Sequence, residues 1–150
     1  MASVFDVAEY VLAKSGPMTT TKLQKLCYYA QGHHLAWDGV PLFPEPFQAW
    51  ANGPVCFELF KAHRRVFNIE RAHFSDGDPD SLSLSERETV DAVLDAYGHL
   101  SGHALSVMSH EERPWLEARG ATPPGEASDA ELDLDLMQEY FLGVIAADQV

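Results

Sequence analysis

Cys27 is followed by His34 and Cys56 by His63, so the sequence twice sets a thiol seven residues before an imidazole. Thiol and imidazole together are the raw material of a zinc site, or of a nucleophile with its base. On a helix, seven residues are two turns, so each pair shares a face with its side chains roughly 10 Å apart. Neither pair alone can close on one ion at zinc-ligand distances of about 2 Å. His33 and His34 are adjacent, point about 100° apart on a helix and do not form a chelating pair. A cysteine nucleophile needs a thiol acidified beside a base. Cys56 reads as lying just inside a helix N-terminus, and His103 or His110 could approach it, but nothing local requires that encounter. The sequence has no Walker A loop, GxGxxG, HExxH or nucleophile elbow. The expectation is a chain with no catalytic residues, no metal and no cofactor; a small Cys/His-dependent enzyme stays open as an alternative.

The stretch "AWANGPVCFELFKAH", residues 49–63, gathers Trp50, Asn52, Gly53, Pro54 and Cys56 in seven positions. Glycine permits a tight backbone approach, proline starts helices, and tryptophan is large enough to anchor a core or an interface. The elements around this corner follow from periodicity. Ser3 is placed to cap a first helix with Asp6 as its N3 acid, and Val4, Val7 and Val11 give it an apolar face ending near Gly16-Pro17. A second helix starts at Thr19 to Thr21 and ends at Asp38-Gly39. Apolar nearly all round past Lys25, it belongs at the centre of the core.

Three prolines in "VPLFPEP" exclude helix, and Phe47 to Ala51 reads as a short edge strand. Pro54 then suits the first turn of a third helix carrying Phe57, Leu59, Phe60 and His63. The loop "SDGDPDSLS" is expected to be the most mobile stretch, and "SERE" offers Ser85 and Glu88 as a capping box for the next helix. "SGHALSVMSH" and "PWLEARG" read as short helices and "TPPG" as a linker. At the end, "ELDLDL" alternates with period two and could begin a strand. Helix is the stronger reading, with Ser128 and Glu131 as its capping box and Leu132, Leu136, Tyr140 and Val144 on one face. Glu131, Asp135 and Glu139 then form an acidic stripe at i, i+4 spacing. These elements add up to one mainly α domain over residues 1–150: compact, about six helices, at most a short β-strand pair.

The charge is lopsided. Of a net −13, residues 1–67 carry five acids against six bases, and residues 68–150 carry eighteen acids against Arg71, Arg87, Arg113 and Arg119. A net of −14 on the second part repels phosphate backbones, so direct nucleic-acid binding is not expected and a partner with a basic surface is. The cluster Lys61, Arg64 and Arg65 is read as a solvated helix face. No apolar run approaches the ~20 residues of a membrane span and the N-terminal segment has no basic leader, so the expected place is the cytosol.

Four stretches together resemble the Panacea domain family of SocA-like antitoxins: "MTTTKLQKLCYYAQGHHLAWDGVPLF" (18–43), "FQAWANGPVCFELF" (47–60), "SERETVDAVLDAYGHLSGHALSVMSHEERPWLEARG" (85–120) and "DLMQEYF" (135–141). The resemblance implies a mostly helical domain that neutralises a cognate protein toxin by direct binding. One branch implies instead an adaptor that delivers its toxin to an ATP-driven (AAA+) protease. In the family the "GPV" corner and the "SH..PW" segment recur together, which here points to Trp50, Asn52, Gly53, Pro54, Val55, Ser109, His110, Pro114 and Trp115. Two roles are open for these residues: holding the domain together, or touching the partner. Glu131, Asp135 and Glu139 join them as candidates for meeting a basic toxin surface.

Overall fold

The structure is a computed structural model and describes residues 1–148. Helix α1 spans Val4–Ser15, closed by the capping box between Ser3 and Asp6 that the sequence predicts. Its start is also held from outside: Glu86 accepts from the Ala2 N–H and Glu45 from the Val4 N–H. Strand β1, Met18–Thr19, leads into α2, Thr20–Asp38, which Thr19 caps and Gly39 ends. Helix α2 is the axis of the fold, buried almost continuously from Leu23 to Leu35. A hydrogen-bonded helix needs no outside partners for its backbone, so the long central helix can be sheathed on every side by apolar contacts.

The chain returns through a proline-rich segment that the buried Gln31 side chain pins, accepting from Leu42 N–H and donating to Phe43 C=O. It then forms a hairpin of β2 (Phe47–Trp50) and β3 (Gly53–Cys56), antiparallel with Trp50 opposite Gly53. The helix expected from Pro54 begins three residues later, as α3 (Phe57–His63). Pro54 instead pairs with Ala49 in β3, a strand hydrogen-bonded on one side only, where a residue without an N–H is tolerated. A second short pair, β1 with β4 (Asn68–Ile69), was not foreseen.

The acidic loop expected to be most mobile carries a 3₁₀ turn, Pro79–Ser81, and is tied to α1. Glu9 accepts the Ala72 and Phe74 N–H groups, and Asp6 accepts that of Asp78. Helix α4, Leu84–Tyr97, is capped by Ser83 with Glu86, not by Ser85 with Glu88. Both pairs satisfy the S-x-x-E spacing, and Glu86 is the one that reaches back to the cap while holding Ala2. Helices α5 (Gly102–Ser109) and α6 (Arg113–Arg119) follow as expected.

Helix α7 spans Leu134–Asp148, so the Ser128–Glu131 capping box does not form. Residues 130–132 run extended along β2: Glu131 bridges Gln48, and the N–H of Leu132 donates to Phe47. Of "ELDLDL" only Glu131 and Leu132 lie in this segment, with Leu132 buried between exposed neighbours, and Leu134 to Leu136 already belong to α7. The buried face of α7 is Met137 and Phe141. Phe141 lies so close over α2 that a Cβ on Gly32 would overlap its ring, which accounts for a glycine inside the central helix. Among the described residues, seven α-helices and two small strand pairs make a mainly α domain, one helix and one pair more than expected.

Candidate functional site

The "GPV" hairpin and the "SH..PW" segment, which the family resemblance pairs, meet in the structure through specific contacts. The Trp115 indole donates to the Trp50 carbonyl at 2.8 Å, and the Ser106 hydroxyl donates to the Asn52 carbonyl. Ser109 donates to the Ser106 carbonyl at 2.8 Å, and His110 stacks on Trp115 with ring centroids 4.6 Å apart. Gly53 has φ +115°, and a Cβ there would stand 2.7 Å from Ser109 Oγ and 2.8 Å from Lys25 Cε. Gly53, Pro54, Val55, Ser109, Pro114 and Trp115 are buried; Asn52 is exposed, and Trp50 and His110 are half-buried. Glu131, Asp135 and Glu139 are all exposed, but only the last two share a helix, and Arg113 lies 3.7 Å from Glu139.

Three buried charged residues that the spacing arguments missed surround this corner. Arg119, 6% exposed, donates to the carbonyls of Ala49, Pro123 and Glu126 and packs over the Trp115 ring. Glu112 accepts from the Tyr28 and Tyr29 hydroxyls at 3.0 and 2.9 Å, and burial pushes its pKa up to about 7 against the lowering effect of those bonds. Lys25, 2% exposed, donates to the Pro54 carbonyl at 3.1 Å and has no carboxylate partner among the described residues; burial pulls its pKa down to about 8. Lys25 did carry a signal: on a helix apolar all round, any polar residue is carried inside.

The Cys/His pairs do other work. The Gln24 amide accepts the Cys56 N–H at 2.8 Å and donates to both the Cys56 carbonyl and His63 Nε2, which makes that ring nitrogen an acceptor. His34 Nδ1 meets the Thr89 hydroxyl at 2.9 Å. Both thiols are buried and free; burial lifts the Cys56 thiol to about 11 and that of Cys27 further still. A thiol so hard to ionise is a poor nucleophile at neutral pH, and desolvation outweighs the helix-start amides that favour the Cys56 thiolate. No cluster of three or more histidine, cysteine or acidic side chains could hold a metal among the described residues.

Beside the welded corner an open cleft of about 840 Å³ lies between α2, the hairpin, α3 and residues 125–129. Trp50, Phe57 and Phe60 form an aromatic wall, with Trp50 and Phe60 centroids 4.8 Å apart, and Gln24, Lys25 and Asn52 supply polar atoms. Trp50 thus faces two ways, its carbonyl tied into the corner and its ring lining the cleft.

Most of this arrangement, though not Arg119 or residues 125–129, falls inside the segment matched by a known family. The model of the SocA-like antitoxin Panacea domain matches residues 23–116, nearly two thirds of the chain, taking in Lys25, the hairpin, Glu112 and Trp115. The chain belongs to the SocA-like antitoxin Panacea domain family. A curated relative, the antitoxin SocA of Caulobacter vibrioides (strain NA1000 / CB15N), is 31% identical over 126 residues, covering 73% of this chain and 66% of the relative. The chain thus spans about two thirds the length of that antitoxin. No solved structure matches it. Helix α1, the first residues of α2, the end of α6 beyond residue 116 and all of α7 lie outside the matched segment, although α7 packs on the central helix.

Proposed function

We propose that the chain is a cytosolic antitoxin that neutralises one protein toxin by binding it directly, without catalysis. Membership of the SocA-like Panacea family carries the reading. The geometry supports it: the buried thiols are poorly placed for nucleophilic chemistry, whereas the aromatic cleft is of the ~300–1,000 Å³ size that holds a ligand or a few partner side chains. The excess of acid beyond residue 67, with Asp135 and Glu139 exposed on α7, favours a toxin with a basic surface and adds encounter rate more than residence time. No helix among the described residues is long and apolar enough to cross a membrane.

The test is co-expression with the product of the adjacent gene. Growth should stop when that gene is expressed alone and recover when this chain is present. No rescue would contradict the reading. Rescue accompanied by disappearance of the toxin, reversed by deleting a AAA+ protease, would replace direct block with delivery for degradation.

A further inference from the structure

The Lys25 ammonium is the one cation lining the cleft among the described residues. It offers three N–H donors, and the Pro54 carbonyl takes one. A buried ammonium with unfilled donors and no counter-ion is costly, and such groups are ordinarily paired. Helix α2, the hairpin and Gly53 nonetheless hold Lys25 in place, with Gly53 so close that no larger residue fits between them. The group therefore stands ready for an anion that enters the cleft, and its pKa of about 8 leaves it charged at neutral pH.

The surroundings narrow the anion. Trp50, Phe57 and Phe60 offer apolar faces beside the charge, and the exposed Asp129 lines the same cleft, where it would repel a second negative charge. The nearby bases are otherwise engaged: Lys61 pairs with Glu58 at 3.1 Å and lies over Phe57, and Arg64 lies over Phe60. A monoanion joined to apolar groups fits this setting; a polyphosphate does not. We infer that the cleft grips the protein partner by a segment whose Asp or Glu side chain meets the Lys25 ammonium while an apolar neighbour packs on Trp50, Phe57 and Phe60. This rests on the direct-binding reading above and gives it a contact. The toxin would then be held by complementary charge of both signs, its basic surface against the acidic half of this chain and one acidic side chain in the cleft.

The probe is the blocked peptide acetyl-Phe-Glu-Phe-amide, compared with its Glu→Gln counterpart by NMR titration of the native chain, read at the Trp50 indole N–H and the Asn52 side-chain amide. The Glu peptide should shift both signals and bind at least tenfold more tightly than the Gln peptide. In Lys25→Met, checked for folding by its amide spectrum, the two peptides should bind alike. Equal binding of both peptides to the native chain, or no shift at these groups at millimolar peptide, would overturn the inference without needing any variant. So would shifts produced by inorganic pyrophosphate but not by the Glu peptide, which would assign the cleft to small polyanions. Growth rescue with no peptide discrimination leaves direct binding standing and removes this contact; discrimination without rescue does the reverse.

Discussion

The Trp115 indole N–H donates to the backbone carbonyl of Trp50 across 2.8 Å, joining two segments 65 residues apart. The first turn of α6 is thereby fastened to the end of β2, and the Trp115 ring is only 8% exposed. Trp115→Phe keeps most of the apolar area but removes the indole donor and with it this link between the segments, so it should lower stability by about 0.5–1.5 kcal/mol in urea unfolding. An unchanged midpoint would mean that the bond contributes nothing net.

Gly53→Ala should cost more than an ordinary surface change. Its φ of +115° costs a residue with a Cβ roughly 1–3 kcal/mol, and the new methyl would press on Ser109 and Lys25 besides. A fall in Tm of several degrees is expected, on the scale of ~4–8 °C per kcal/mol for small domains and about half that for larger ones. A variant that melts with the native protein would show that the hairpin turn is free to rearrange.

The Glu112 carboxyl gives a pH signature. Its folded pKa of about 7 lies above the ordinary carboxylate value, so the folded state holds this proton more tightly than the unfolded one. Its contribution is fully present below the unfolded pKa and is lost as pH rises through about 7. The loss is on the order of 2–4 kcal/mol. His33 acts oppositely over part of the same range, because burial draws its pKa down to about 4, so stability gains from it as pH rises. The difference between native protein and Glu112→Gln isolates the carboxyl. The variant should gain on the native chain between pH 5 and 8, and a constant difference would show that Glu112 titrates normally.

The central helix, its Thr19 cap and the α1 capping box were readable because their signals are local: a hydroxyl three residues before an N–H, an apolar period of 3.6. Pro54 and Glu131 were misplaced because their positions depend on pairings across the chain. Pro54 belongs to a hairpin, and Glu131 bridges Gln48, 83 positions earlier, which overrides a local capping pattern. The meeting of Trp50 with Trp115 came from family resemblance, not from spacing. Lys25, Glu112 and Arg119 escaped because lysine, glutamate and arginine are rarely buried, so residue type argued against the location they occupy.

Cys56 is wholly buried at the start of α3, with its backbone held on both sides by Gln24. Cys56→Ser should lower stability by about 1–3 kcal/mol by placing a hydroxyl among apolar neighbours, and should leave toxin neutralisation intact at temperatures where it is folded. Native protein should also resist iodoacetamide at pH 7.5, labelling only on unfolding, since its thiol pKa is about 11. A folded serine variant with no neutralising activity would return the thiol to the functional site.

The most direct measurement is titration of the purified adjacent-gene toxin with this purified chain, with no protease present, reading the toxin's own activity. Direct neutralisation predicts a stoichiometric loss of that activity, with association slowed about tenfold or more as salt is raised from low to several hundred millimolar, since screening cuts the Debye length from ~10 Å or more to a few ångströms. Toxin that stays fully active beside an excess of this chain, and is silenced only when an ATP-dependent protease is added, would contradict the account.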